Sequence, residues 1–222
     1  MIPVCIDIET RPAFVPPEEM QELAEQSKAN PNRTWATRAD WASDPVNQAT
    51  AWARGALGIV SARVVAVAVV IDDRPVQSWA DWGDESHVLR SLERALIGID
   101  APLFIGHNLA GFDLPILRVG AMRHGLTQLR DMIPTYRYSD RIHDNMHEAV
   151  KPAGHTSGVS ADALARSLGL AGKGEIGRLD FGELYARALA GAEVEVAELL
   201  RLRCETDAAV EWATFQKMTR QG

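Results

Sequence analysis

Asp7 and Glu9 stand two residues apart at the end of the apolar run Ile-Pro-Val-Cys-Ile-Asp-Ile, residues 2 to 8. A strand sends alternate side chains to one face, so both carboxylates project the same way and one cation fits between them. Thirty acidic residues in 222 make an accidental Asp-x-Glu triplet unsurprising, so the spacing alone is weak. Its setting says more. Two ionised groups at the end of an apolar strand repel each other, and burying like charges is costly without a cation to offset them. The bland alternative is a solvated strand end.

Two further elements carry acids. The first is Gly106-His107-Asn108-Leu109-Ala110-Gly111-Phe112-Asp113, directly after an apolar strand, where open α/β sheets place ligands. Asn108 can hydrogen-bond backbone or substrate, Phe112 can pack on a sugar or base, and Asp113 adds a third carboxylate. The plain reading is a helix start with Asp113 in its first turn, favoured by the helix dipole. The second is the helical segment around Arg203-Cys204-Glu205-Thr206-Asp207. There Val196, Leu199, Leu200 and Cys204 form an apolar stripe that Asp207 borders. Alone, Asp207 reads as a flank residue of that helix. His143-x-x-x-His147 has the helical spacing of two zinc ligands, but His-Glu-x-x-His is absent. No phosphate-binding Gly-x-x-x-x-Gly-Lys-Ser/Thr surrounds Gly172-Lys173 either.

The elements that must position these groups follow from periodicity. Residues 63 to 71, Arg-Val-Val-Ala-Val-Ala-Val-Val-Ile, are the strongest strand, and Asp72-Asp73-Arg74-Pro75 turns it into a partner at 76 to 80. Val88, Leu89, Leu92, Leu96 and Ile97 predict a helix over 84 to 98, followed by the strand Leu103-Phe104-Ile105. Leu114, Leu117 and Met122 predict another over 111 to 125, stopped by Gly125. Residues 131 to 159 read as irregular. Helices follow at 161 to 168, 181 to 190 and 193 to 218. The stretch from 11 to 58 holds three of six tryptophans and reads as a mostly helical insertion between the first two strands, packed over the sheet edge or near the site.

A chain of 222 residues with 46% apolar content can bury one core, so a single domain over 1 to 222 is expected. No run is long enough for a membrane span, and the N-terminus has no basic segment before an apolar one. Two cysteines are too few for a disulfide framework, which suits a reducing cytoplasm. The net charge of −7 argues against a broad basic surface that grips duplex DNA. Clustered carboxylates awaiting cations would raise the same acidity.

Asp-Ile-Glu-Thr at 7 to 10, His-Asn-Leu-Ala-Gly-Phe-Asp at 107 to 113 and Cys-Glu-Thr-Asp at 204 to 207 together resemble the three motifs of the DEDD superfamily of 3′–5′ exonucleases, in the form similar to the proofreading domain of family B DNA polymerases. The resemblance spans most of the chain. It implies an α/β, RNase H-like mixed five-stranded sheet, its first three strands antiparallel, with helices on both sides. It also implies hydrolysis of terminal phosphodiester bonds at a single-stranded DNA or RNA 3′ end, DNA favoured, with replication or repair proteins as partners and no membrane. Asp7, Glu9, Asp113 and Asp207 would hold the metal. Asp7 would bridge two ions, Glu9 and Asp207 would complete one site, and Asp113 would support the other through water. Oxygen ligands suit Mg²⁺ or Mn²⁺ rather than zinc. The alternative is a weak or silent nucleic-acid-binding protein that keeps the fold.

The resemblance names Thr10, His107, Asn108 and Phe112 among the substrate-contacting motif positions. Lys151, Lys173 and Arg178 are candidates for backbone phosphates, although a solvated surface charge is the better reading of each. Asp144 resembles a family position near the site. One departure is clear: relatives carry a tyrosine four residues before the last aspartate or a histidine five before it, where this chain has Arg203 and Leu202. Arg203 shares a helix face with Asp207 and points toward the metals, where it can bind the scissile phosphate or pair with Asp207. It cannot act as a base. His147 or His155 is then the candidate to serve the attacking water.

Overall fold

Strand β1 (Pro3–Pro12) is the centre of the molecule. Its even-numbered Val4, Ile6 and Ile8 enter one apolar layer while Cys5 enters the other, so both faces are covered and the run reads as continuously apolar. The computed structural model describes residues 1–13, 42–150 and 158–219. Within them β1 pairs antiparallel with β2 (Ala62–Ile71), and β2 with β3 (Gln77–Ala80) through the turn at Asp72, whose φ is 55°. On its other edge β1 pairs parallel with β4 (Leu103–Gly106), which pairs parallel with β5 (Ile142–Asp144). The five-stranded mixed sheet has the order β3-β2-β1-β4-β5.

Helices cover both faces. Helix α1 (Pro45–Ala53) precedes β2; α2 (Glu85–Leu96), α3 (Asp113–Arg123) and α4 (Thr127–Met132) follow β3 and β4. Helices α2, α3 and α4 pack Leu89, Leu92, Leu117 and Leu129 against the even side of β1. Beyond β5 come α5 (Asn145–Val150), α6 (Ala161–Ser167), α7 (Phe181–Arg187) and α8 (Glu193–Thr219). Tyr185 of α7 and Leu200, Cys204 and Ala208 of α8 build the opposite layer with Trp52 of α1. The last two helices run into each other across Gly191, whose φ of 99° favours glycine. No helix among the described residues is long and apolar enough to cross a membrane.

Several expectations need correction. Residues 131 to 159 are not irregular throughout: β5 and α5 lie there, the strand held by pairing with β4 and the helix begun by the Asp144 carboxylate rather than by any apolar period of their own. Met122 is 60% exposed, and Ile116 and Ala121 carry the buried side of α3 instead. Ile97 is likewise exposed and caps α2 rather than belonging to its stripe. The first strand continues through Pro12, so the insertion begins later than residue 11. Its described part is the helix α1 and a 3-10 turn over Arg54–Leu57; Trp35 and Trp41 lie outside the described residues, as do Lys151 and His155.

Candidate metal centre

Asp7 and Glu9 share the side of β1 that faces α8, as Cys5 does. A shift in the β1–β2 register between Glu9 and Thr10 falls directly after them. Helix α8 can approach because its contact residues are small. The Cys204 thiol donates to the Asp7 carbonyl oxygen at 2.9 Å, and the Cys5 thiol to the Ala208 carbonyl at 3.4 Å. That approach carries Asp207, one turn beyond Cys204, over the strand. One carboxylate oxygen from each of Asp7, Glu9 and Asp207 lies within 4.8 Å of the other two.

Asp113 stands at the start of α3, on the opposite side of the sheet, and reaches the end of β1 from there. Its Oδ1 accepts a hydrogen bond from the Ile8 amide at 3.3 Å, and it is not one of the three mutually close carboxylates. The loop before it, residues 107 to 112, is shaped by Asp144 at the end of β5. That carboxylate accepts from the amides of Asn108 and Ala110 at 3.0 and 3.3 Å, and from those of Met146 and His147 at 3.1 and 3.3 Å. Asp144 thus fixes the loop and begins α5 at once. Asn108, at φ 58°, exposes its side chain, and an added Cβ at Gly111 would fall 2.6 Å from its Oδ1.

Burial and like charge act together here. Desolvation pushes the Asp7 carboxyl well above the usual range, and Glu211, Asp207, Asp113 and Glu9 raise it further. Glu9 rises to about 7, through burial first and despite the Arg203 guanidinium. Asp113 is raised by desolvation, partly opposed by backbone N–H groups. Asp7 Oδ2 and Asp207 Oδ1 are buried and have no hydrogen-bond partner, which is the condition a hard cation relieves. The donor set of these three residues is all oxygen, the chemistry that a hard cation takes.

Two cations of the protein enter the cluster. Lys173 Nζ lies 2.6 Å from Asp207 Oδ2, facing the acids rather than an outer phosphate track. Arg203 Nε lies 2.8 Å from Glu9 Oε1, an ion pair off the ideal hydrogen-bond direction, and its guanidinium sits 4.4 Å over the Phe181 ring. Its acidic partner is therefore Glu9, not Asp207.

The remaining sequence candidates divide. The Thr10 hydroxyl donates to the Ala56 carbonyl at 2.8 Å, and Tyr185 donates to the Thr10 carbonyl, so Thr10 ties β1 to α7 and the 3-10 turn. His107 Nε2 lies 2.6 Å from the Val159 carbonyl, leaving Nδ1 buried without a partner. Phe112 lines a cleft of about 370 Å³ beside Glu9, with Phe181, Tyr185 and Arg203. The zinc reading of His143 and His147 loses its geometric basis. His143 lies in the strand β5 and meets Phe215 edge-on at 4.8 Å, whereas His147 lies in the helix α5 and meets Tyr138 at a tilt, 5.8 Å away.

Glu211 is the site residue that the sequence reading missed. It is 4% exposed, one helical turn after Asp207, and burial together with Asp113 holds its carboxyl well above normal. An acid on the buried stripe of α8, four residues from Asp207, was the available signal. Comparison with protein-family models, curated proteins and solved structures finds no match to this chain.

Proposed function

We propose that this chain is a metal-dependent 3′–5′ exonuclease of the DEDD type, with an RNase H-like fold, acting on single-stranded nucleic acid. One observation carries the reading: carboxylates from β1 and α8, distant in sequence, meet within 4.8 Å at a buried place where two of their oxygens lack partners. The strand order and the antiparallel start of the sheet support the fold the motifs imply. Asp7, Glu9 and Asp207 would hold a divalent cation, with Asp113 beside them. Held there, divalent metal would supply the activation of water and the stabilisation of charge on the departing 3′ oxygen. The chain's own contribution is position. The cleft beside Glu9 offers Phe112 and Phe181 to a terminal base, since a ring stacks on any base without reading its sequence. Arg203, in its wall, presents a fixed positive charge to a phosphate.

A catalytically silent binding protein is favoured by one observation, that Lys173 and Arg203 already neutralise two of the acids. A single assay separates the readings. With Mn²⁺ or Mg²⁺, a 5′-labelled single strand of DNA should shorten progressively from its 3′ end, a closed circle should survive, and Asp7→Ala should abolish the reaction while keeping the fold. Metal-independent binding without shortening supports the silent protein instead.

A further inference from the structure

Lys173 is delivered into the acidic cluster by a loop built to hold it there. Its backbone amide donates to Asp162 Oδ1 at 2.8 Å, which anchors the loop to the start of α6. The residue before it must be glycine for that contact, because a Cβ on Gly172 would fall 2.1 Å from the same Asp162 oxygen. The residue after it, Gly174, has φ +64°, a conformation that side chains with a Cβ rarely adopt. The lysine stem is largely covered, its side chain 19% exposed, and the ammonium ends 2.6 Å from Asp207 Oδ2.

We propose that Lys173 is a permanent cation of this site, occupying the charge position of one metal ion, so that the chain binds a single divalent cation. The inference rests on the reading of Asp7, Glu9 and Asp207 as metal ligands. The atoms divide accordingly. Asp207 gives Oδ2 to Lys173 and keeps Oδ1, buried and unpartnered, for the cation. Asp7 supplies Oδ2, also unpartnered, and Glu9 completes a group of three. Asp113 stays outside that group with Oδ1 turned to the Ile8 amide. A second divalent ion between Asp7 and Asp113 would add its charge to a partly desolvated place where the Lys173 ammonium already acts on Asp207, Asp7 and Glu211, and repulsion there is strong. Lysine suits the role because its charge is compact and its three N–H groups can be shared between a carboxylate and a phosphate oxygen.

The test is Mn²⁺ binding to the full chain stripped of metal, near pH 7.5, counted by calorimetry and by the loss of free-Mn²⁺ electron paramagnetic resonance signal. Wild type should bind one ion, Lys173→Arg one, and Lys173→Met two, with thermal melting in chelator confirming that each variant folds. Two ions on wild type would overturn the inference and leave the metal centre standing. One ion on both wild type and Lys173→Met would overturn it as well, because the lysine would then not be what excludes the second. No binding at all would remove the metal centre and this inference with it.

Discussion

The Cys204 thiol points its proton at the carbonyl oxygen of Asp7, 2.9 Å away, and through this contact helix α8 sets the height of Asp207 above β1. A larger side chain there would push the helix off the strand. Cys204→Leu should destabilise the fold by about 1 to 3 kcal/mol through overpacking, read from the urea midpoint. It should also separate Asp207 from Asp7, so that Mn²⁺ no longer raises Tm. Cys204→Ala, which only leaves a small gap, should keep most of the Mn²⁺ response. A Cys204→Leu variant with an undiminished metal shift would show that α8 is not positioned by this contact.

The metal-free protein should lose stability as pH rises. Glu9 moves from 4.5 in the unfolded chain to about 7 in the fold, and Asp7, Asp113 and Glu211 are raised in the same direction by burial and mutual repulsion. A raised carboxyl binds its proton more tightly when folded, so its stabilising contribution is complete below 4.5 and is lost as pH climbs through about 7. In chelator, Tm should therefore fall between about pH 5 and pH 8. Mn²⁺ should raise Tm more at pH 8 than at pH 5, because deprotonated ligands bind it better. A metal-free Tm that is flat or rising over this window would contradict the burial of these acids.

Far from the site, Glu85 holds three elements together. Its carboxylate accepts from the Val64 amide at 2.9 Å and pairs with Arg123 at 2.6 Å and with His124 at 2.8 Å, joining α2 to β2 and to the end of α3. Glu85→Ala leaves the Val64 amide buried without a partner and takes the shared carboxylate from Arg123 and His124. A loss of about 2 to 4 kcal/mol is expected in urea unfolding. Glu85→Gln, which can still accept from the amide, should lose less. Mn²⁺ binding should be unchanged in Glu85→Gln, since nothing in the metal centre touches this network.

How far such a site is legible in sequence depends on how local its causes are. Asp7 and Glu9 announce themselves because an apolar strand ends on them, and β2 and β4 are visible as β-branched or apolar runs between turns. β5 is not, having three residues of which only Ile142 is apolar; β4 pairing creates it. Asp144 is marked in the sequence only by its resemblance to a family position near the site; that four backbone amides converge on it is a fact of loop shape rather than of spacing. Lys173 gave no local clue to its partner, 34 residues away on another element. Glu211 was overlooked for a different reason: helical periodicity assigns an acid beside an apolar stripe to the solvated flank, and only tertiary packing turns it inward.

In the exonuclease reading proposed above Arg203 takes the place of a tyrosine, and its position against Glu9 defines what its loss should do. The guanidinium, 2.8 Å from Glu9 Oε1, opposes the rise that burial imposes on that carboxyl. Removing it lets Glu9 hold its proton to higher pH. Since a proton and a divalent cation compete for the same carboxylate, the pH midpoint of Mn²⁺ binding should move upward in Arg203→Met, by about one unit, the order expected for loss of one close opposite charge. Arg203→Lys should move it less, keeping the charge but losing the planar stack on Phe181. Arg203→Tyr should show the same upward shift in metal binding, while under the proposed exonuclease reading its turnover with Mg²⁺ should exceed that of Arg203→Met, because the introduced hydroxyl can orient the attacking water. A midpoint in Arg203→Met equal to that of wild type would mean that the arginine serves the phosphate alone and does nothing for Glu9.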